Sequence, residues 1–156
     1  MNEKDKKFWK TVIFAFVLVG AIATLDVYSM KSGVFGAPSA YENGNYTEGW
    51  WNIFKGISLF GFAFLGLAYY FLIRKDLSEA LAIPIVSYTN WMFGLSDLIY
   101  FWVQGRVVPD SLPWLSNNSV IAFFGGGVVT ATILYISSII GVILSLGIAW
   151  LLKEKL

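Results

Sequence analysis

The stretch Val128–Leu152, VVTATILYISSIIGVILSLGIAWLL, runs for 25 residues without a charged side chain. A helix needs about 20 apolar residues to cross the hydrocarbon core of a bilayer, so this segment reads as a membrane span. Working outward from it, three further runs of comparable length appear. The spans are placed at about 8–27, 51–73, 84–104 and 128–152, and the chain is read as one integral membrane domain over 1–156. The expected fold is an all-α, polytopic membrane protein, a four-transmembrane-helix bundle.

The ends of these runs are charged asymmetrically. Lys4, Lys6, Lys7 and Lys10 gather at the start of the first run, Arg74 and Lys75 follow the second, and Lys153 and Lys155 follow the fourth. The opposite connections, 28–50 and 105–119, hold only Lys31 and Arg106. Excess Lys and Arg marks the cytoplasmic side of a membrane protein. Both termini are therefore expected in the cytosol, and the plasma membrane is the expected location. The first run also resembles a secretory signal ending in Ala21-Ile22-Ala23. It continues to Leu25, however, which is long for a signal, and retention is expected.

Composition narrows the function classes. The chain is 57% hydrophobic and 13% charged, with mean hydropathy +0.66, whereas soluble domains carry about 25% charged residues. Cysteine and histidine are both absent, which removes thiolate chemistry, the usual haem ligand and the commonest zinc ligands. No P-loop or dinucleotide fingerprint occurs. No cofactor or metal is expected, and the lack of a basic arm argues against nucleic acid as a partner.

Between the runs, turn chemistry and aromatics set the outer loops. Asn43-Gly44 suits a tight turn, and Tyr41, Tyr46, Trp50 and Trp51 suit the membrane interface. Asn45 and Asn117 open glycosylation sequons on the expected exterior. Leu112, Trp114 and Leu115 between Pro109, Pro113 and polar residues read as a loop folded back on the membrane. Gly125-Gly126-Gly127 divides a short piece, Val120–Phe124, from the fourth span. Asp76 with Glu79 resembles a capping box in the cytosolic connection, and the third span is expected to start at Pro84, after a short interfacial turn of helix.

The third span carries the polar signal. Ser87, Asn90, Gly94, Asp97, Phe101 and Gln104 recur at spacings of three and four, which puts them on one helical face. Lipid cannot satisfy such groups, so this face is expected to look into the bundle. Asp26 in the first span and Lys55 in the second fall at similar outer depth, and a Lys55–Asp97 pair with Asp26 as second acceptor would lower the charge cost. Candidate ligand-binding residues are Asp97, Asn90, Ser87, Lys55, Asp26, Trp91 and Gln104, with no catalytic residue assigned. Small residues (Gly127, Ala131, Ser138, Gly141, Ser145 and Ala149 on the fourth span; Gly56, Ala63 and Gly66 on the second) suit close helix packing.

The expected function is an outward-facing polar pocket that binds or helps to move an amphipathic or lipid-like molecule. The alternative is an accessory subunit of a larger membrane complex or homo-oligomer. A lipid- or isoprenoid-modifying enzyme is the weakest reading, because one intramembrane carboxylate without His or Cys supplies little acid–base chemistry.

Overall fold

The computed structural model describes residues 3–31, 48–116 and 119–156. Every regular element among them is helical. In chain order these are α1 (Glu3–Lys31), α2 (Glu48–Ala68) with a π-helical turn Tyr69–Ile73, α3 (Leu77–Met92), α4 (Leu95–Val103), a 3-10 turn Pro113–Leu115, α5 (Ser119–Phe124) and α6 (Ala131–Lys155). Three helical segments are long and apolar enough to cross a membrane: Glu3–Tyr28, Gly56–Ile73 and Ala131–Lys155. The ends of the expected first outer loop, 28–31 and 48–50, belong to α1 and α2, while its middle, 32–47, the sequons at Asn45 and Asn117, and Tyr41 and Tyr46 lie outside the described residues.

α3 is the hub, packing on α1, α2 and α6. α1 turns a narrow stripe toward α3 and α4. Phe8, Val12, Ala15, Val19, Ala23 and Val27 are all buried, while Ile13, Phe14, Val17 and Leu25 are open. Spacing of three and four puts the buried set on one side of the helix, and the exposed apolar side is what a lipid-facing helix presents. The core falls into two clusters. One, toward the termini, holds Phe8, Val12, Ala15, Ala82, Val86 and Ala149. The other gathers Val27, Phe62, Trp91, Leu98, Phe101, Ile121 and Leu134 with Val108, Leu112 and Leu115 of the connection after α4.

That connection folds back as expected. Leu112 and Leu115 are buried, and Leu112 N–H donates to Val129 O at 2.9 Å, pinning the loop to the segment before α6. The short helix α5 and the glycine turn also form where expected. Gly126 and Gly127 both take positive φ, a conformation that costs glycine little. α6 starts at Ala131 rather than Val128, because Thr130 caps it by accepting from Ile133 N–H at 3.3 Å.

The expected third span differs most. The helix starts at Leu77, not Pro84, because the Asp76 carboxylate accepts from Glu79 N–H at 3.1 Å and caps the first turn. Pro84 lies inside α3 and offers no N–H to Ala80 O. Gly66 of α2 presses on that spot: a Cβ there would sit 2.7 Å from Ala80 O and 2.9 Å from Pro84 Cδ. Gly56 and Gly61 meet nothing and Ala63 is exposed, so only Gly66 of the expected small-residue face makes a close approach. The helix then breaks at Phe93–Gly94, with Gly94 at φ 88°. Ser87 and Asn90 therefore belong to α3, and Asp97, Phe101 and Gln104 to α4, rather than to one continuous face.

Candidate functional site

α3 carries polar side chains into the middle of the bundle, and its neighbours meet them. Ser87 Oγ donates to Ala15 O of α1 at 3.1 Å. Asn90 Nδ2 donates to Val86 O and to Ser145 Oγ of α6, both at 2.8 Å. Ser137 and Ser138 of α6 donate to Phe93 O at 2.9 and 3.3 Å. Both Ser87 and Asn90 are fully buried. These groups lie between the two apolar clusters and join α3 to α1 and α6, so Ser87 and Asn90 act as clasps between helices. Asn90 Oδ1 alone has no hydrogen-bond partner among the described residues.

The helix break makes part of this network necessary. In a continuous helix Asp97 N–H would bond Phe93 O. Here it bonds Gly94 O at 3.1 Å, which leaves Phe93 O for the two serines. Gly141 of α6 allows the approach, since a Cβ there would lie 2.4 Å from Phe93 Cβ. The small-residue face of α6 is thus filled: Ser138, Gly141, Ser145 and Ala149 are all buried.

Past the break lies Asp97, on the opposite side of Gly94 from Asn90 in the chain. Asp97, half-buried in the first turn of α4, accepts a hydrogen bond from Ser96 and lies within electrostatic reach of Asp26 on α1. The expected Lys55–Asp97 pair, with Asp26 as second acceptor, lies outside the described residues. Lys55 has its backbone in α2, but its side chain lies outside the described residues. Trp91 is buried, with its ring 5.8 Å from that of Tyr88, and belongs to the core. Gln104 caps the end of α4, half-buried, and its Nε2 has no hydrogen-bond partner among the described residues.

A second polar cluster, at the termini end, was not legible in the sequence. Glu79 in the first turn of α3 is completely buried. Its carboxylate accepts from Tyr69 Oη at 2.5 Å and from Arg74 Nη1 at 2.9 Å, and Thr11 Oγ1 lies 3.5 Å from Tyr69 Oη. The sequence marks Tyr69 as a belt aromatic, Arg74 as a topology marker and Glu79 as half of a capping box. Only the cap from Asp76 forms, because the Glu79 carboxylate turns to Arg74 and Tyr69 instead of back to the helix start. The available signal was Glu79 beside Ala80, Ala82 and Ile83, an acid on the face that becomes the core.

Outside the membrane, the Asp76 carboxyl shows how local bonds set an acidity. Burial pushes it up, but hydrogen bonds from the Ser78 hydroxyl and Glu79 N–H, helped by the charge of Lys4, outweigh this and hold it below the usual Asp range. Among the described residues no group of three or more His, Cys, Asp or Glu side chains could hold a metal ion. Comparison with protein-family models, curated proteins and solved structures finds no match.

Proposed function

We propose that the chain is a four-span protein of the plasma membrane, with both termini in the cytosol, that holds an amphipathic or lipid-like molecule at an outward-facing polar site. The fourth crossing is α3 and α4 together. At 1.5 Å per residue they rise about 24 and about 13 Å, so neither alone spans the ~30 Å core but the two in series do. The orientation rests on eight Lys and Arg at the termini end against two in the opposite connections.

The observation that carries the site is the Asp26–Asp97 pair on α1 and α4. Two acids within electrostatic reach of each other at membrane depth favour a cationic or hydrogen-bond-donating head group. The folded connection packs Leu112 and Leu115 into the same cluster as Val27 and Leu98, the immediate neighbours of the two acids in sequence. The molecule's head is placed at Asp26 and Asp97, with Gln104 as a further donor. Ser87 and Asn90, engaged with neighbouring helices, support the site without touching the ligand.

Native mass spectrometry of the protein and of Asp26→Asn and Asp97→Asn tests this reading. A small molecule retained by the unaltered protein and lost from both variants is the expected result. Retention that is indifferent to both substitutions overturns the site.

The accessory-subunit reading has one observation in its favour. The mid-bundle polar groups of α3 are engaged with α1 and α6, as a strut requires, while α2 packs on α3 and leaves Phe60, Phe64, Leu67 and Phe71 exposed. A stoichiometric partner subunit in native extracts, with no bound small molecule, would establish it in place of the first.

A further inference from the structure

At the termini end α1 and α2 both pack on α3 without packing closely on each other. The cleft between them is a groove of about 470 Å³ lined by Lys7, Lys10, Thr11 and Phe14 of α1 and by Tyr69, Ile73 and Arg74 at the end of α2. The wall of the groove is almost wholly carbon, with Phe14 and Ile73 exposed on the outside of the bundle, while Lys7, Lys10 and Arg74 among the lining residues supply three cations.

The charges in the groove are not all neutralised. Lys6 pairs with Glu3, Lys153 with Asp5, and Arg74 with Glu79. Lys7 and Lys10 are exposed and make no ion pair among the described residues. Glu79 does not cancel them, since it is buried and its two oxygens are taken by Tyr69 and Arg74. It instead fixes the wall of the groove: the Arg74 side chain, held by Glu79, is still 37% exposed.

We propose that this groove seats an acyl chain of an anionic phospholipid from the leaflet at the termini end, along Phe14 and Ile73, with the lipid's phosphate met by Lys7, Lys10 and Arg74. Lys and Arg give charge-assisted hydrogen bonds to phosphate oxygens, and basic pockets between helices at the cytoplasmic side suit anionic head groups. The apolar wall distinguishes a lipid from a free phosphate, which would gain nothing from Phe14 and Ile73. The inference rests on α1 and α2 crossing the bilayer and is independent of the outer acidic pair.

The test is native mass spectrometry of the full-length protein with equal amounts of phosphatidylglycerol and phosphatidylcholine. Three forms are compared: the unaltered protein, Lys7→Gln with Lys10→Gln, and Lys75→Gln with Lys155→Gln as a control of equal charge change at the same end. The unaltered protein should retain phosphatidylglycerol in preference, the first double variant should retain it about thirty-fold less, and the control should stay within about two-fold. Lys7→Arg with Lys10→Arg should restore retention. No preference in the unaltered protein, or equal loss in both double variants, overturns the site. Displacement of the lipid by an equal concentration of inorganic phosphate would overturn the lipid assignment and leave a free-phosphate site. Asp26→Asn and Asp97→Asn should leave this retention unchanged, so the outer and inner sites fail separately.

Discussion

Asn90 on α3 donates a 2.8 Å hydrogen bond to Ser145 on α6, 55 residues away in sequence. It fixes the rotation of both helices, because Asn90 also bonds Val86 O and Ser145 bonds Val142 O, each within its own helix. Hydrogen bonds between helices in a membrane average about 0.6 kcal/mol and reach about 1.7 kcal/mol. Ser145→Ala should therefore cost about 1 kcal/mol, and Asn90→Leu combined with it should cost less than the sum of the two single changes. Unfolding in detergent micelles, read as a double-mutant cycle, checks this. Strict additivity would show that the pair carries no coupling.

Glycine positions separate close packing from open surface. Gly141→Ala would push a Cβ against Phe93, whereas Gly61→Ala meets nothing. Overpacking of this kind costs about 1–3 kcal/mol. Gly141→Ala should lower the thermal midpoint of the purified protein, and Gly61→Ala should leave it unchanged or raise it slightly through helix propensity. A fall in both would place the close contact elsewhere.

Glu79 joins the end of α2 to the start of α3 through Tyr69 and Arg74. Removing one partner of a fully buried pair costs 3–5 kcal/mol, but Arg74 is 37% exposed and can regain water. Glu79→Gln should therefore destabilise by about 1–3 kcal/mol. Tyr69→Phe, which removes a single hydrogen bond, should cost about 1 kcal/mol. Chemical unfolding of the two variants side by side tests the ranking. A larger loss in Tyr69→Phe would shift the weight of the cluster to the phenol.

Asp76 predicts a pH dependence. Its folded acidity lies below the ordinary Asp value, through the Ser78 and Glu79 hydrogen bonds that outweigh burial. Its contribution is thus complete above the unfolded value of about 4 and disappears as pH falls through the lower folded value. The stability advantage of the natural protein over Asp76→Asn should be constant from neutral pH to about 5 and vanish in stronger acid. An advantage that grows on acidification would reverse the sign and refute the argument.

The long helices were legible because length and the absence of charge determine them locally. α6 follows from an uncharged run, whereas the buried stripe of α1 does not, because the exposed Ile13, Phe14 and Val17 are as apolar as the buried Val12, Ala15 and Val19. The break at Phe93–Gly94 was not legible. A lone glycine disfavours a helix by only about 1 kcal/mol. What fixes the break is Ser137, Ser138 and Gly141 arriving from α6, and no local pattern encodes that meeting. Asp26 and Asp97 were legible as groups at one depth, counted from the ends of their spans. Glu79 reads in the sequence only as half of a capping box, because a sequence does not say that a helix starting at Leu77 turns its first acid inward.

Phe93 O lies on α3, and the hydroxyls that satisfy it belong to Ser137 and Ser138. A ribosome makes the chain from the N-terminus, so this carbonyl is synthesised some 44 residues before its donors. In the proposed four-span arrangement, until they emerge the break holds an exposed acceptor that lipid cannot satisfy. The third segment therefore gains its settled place only when the last helix arrives, and a nascent chain halted before Ser137 should leave that segment at the insertion machinery or the water interface.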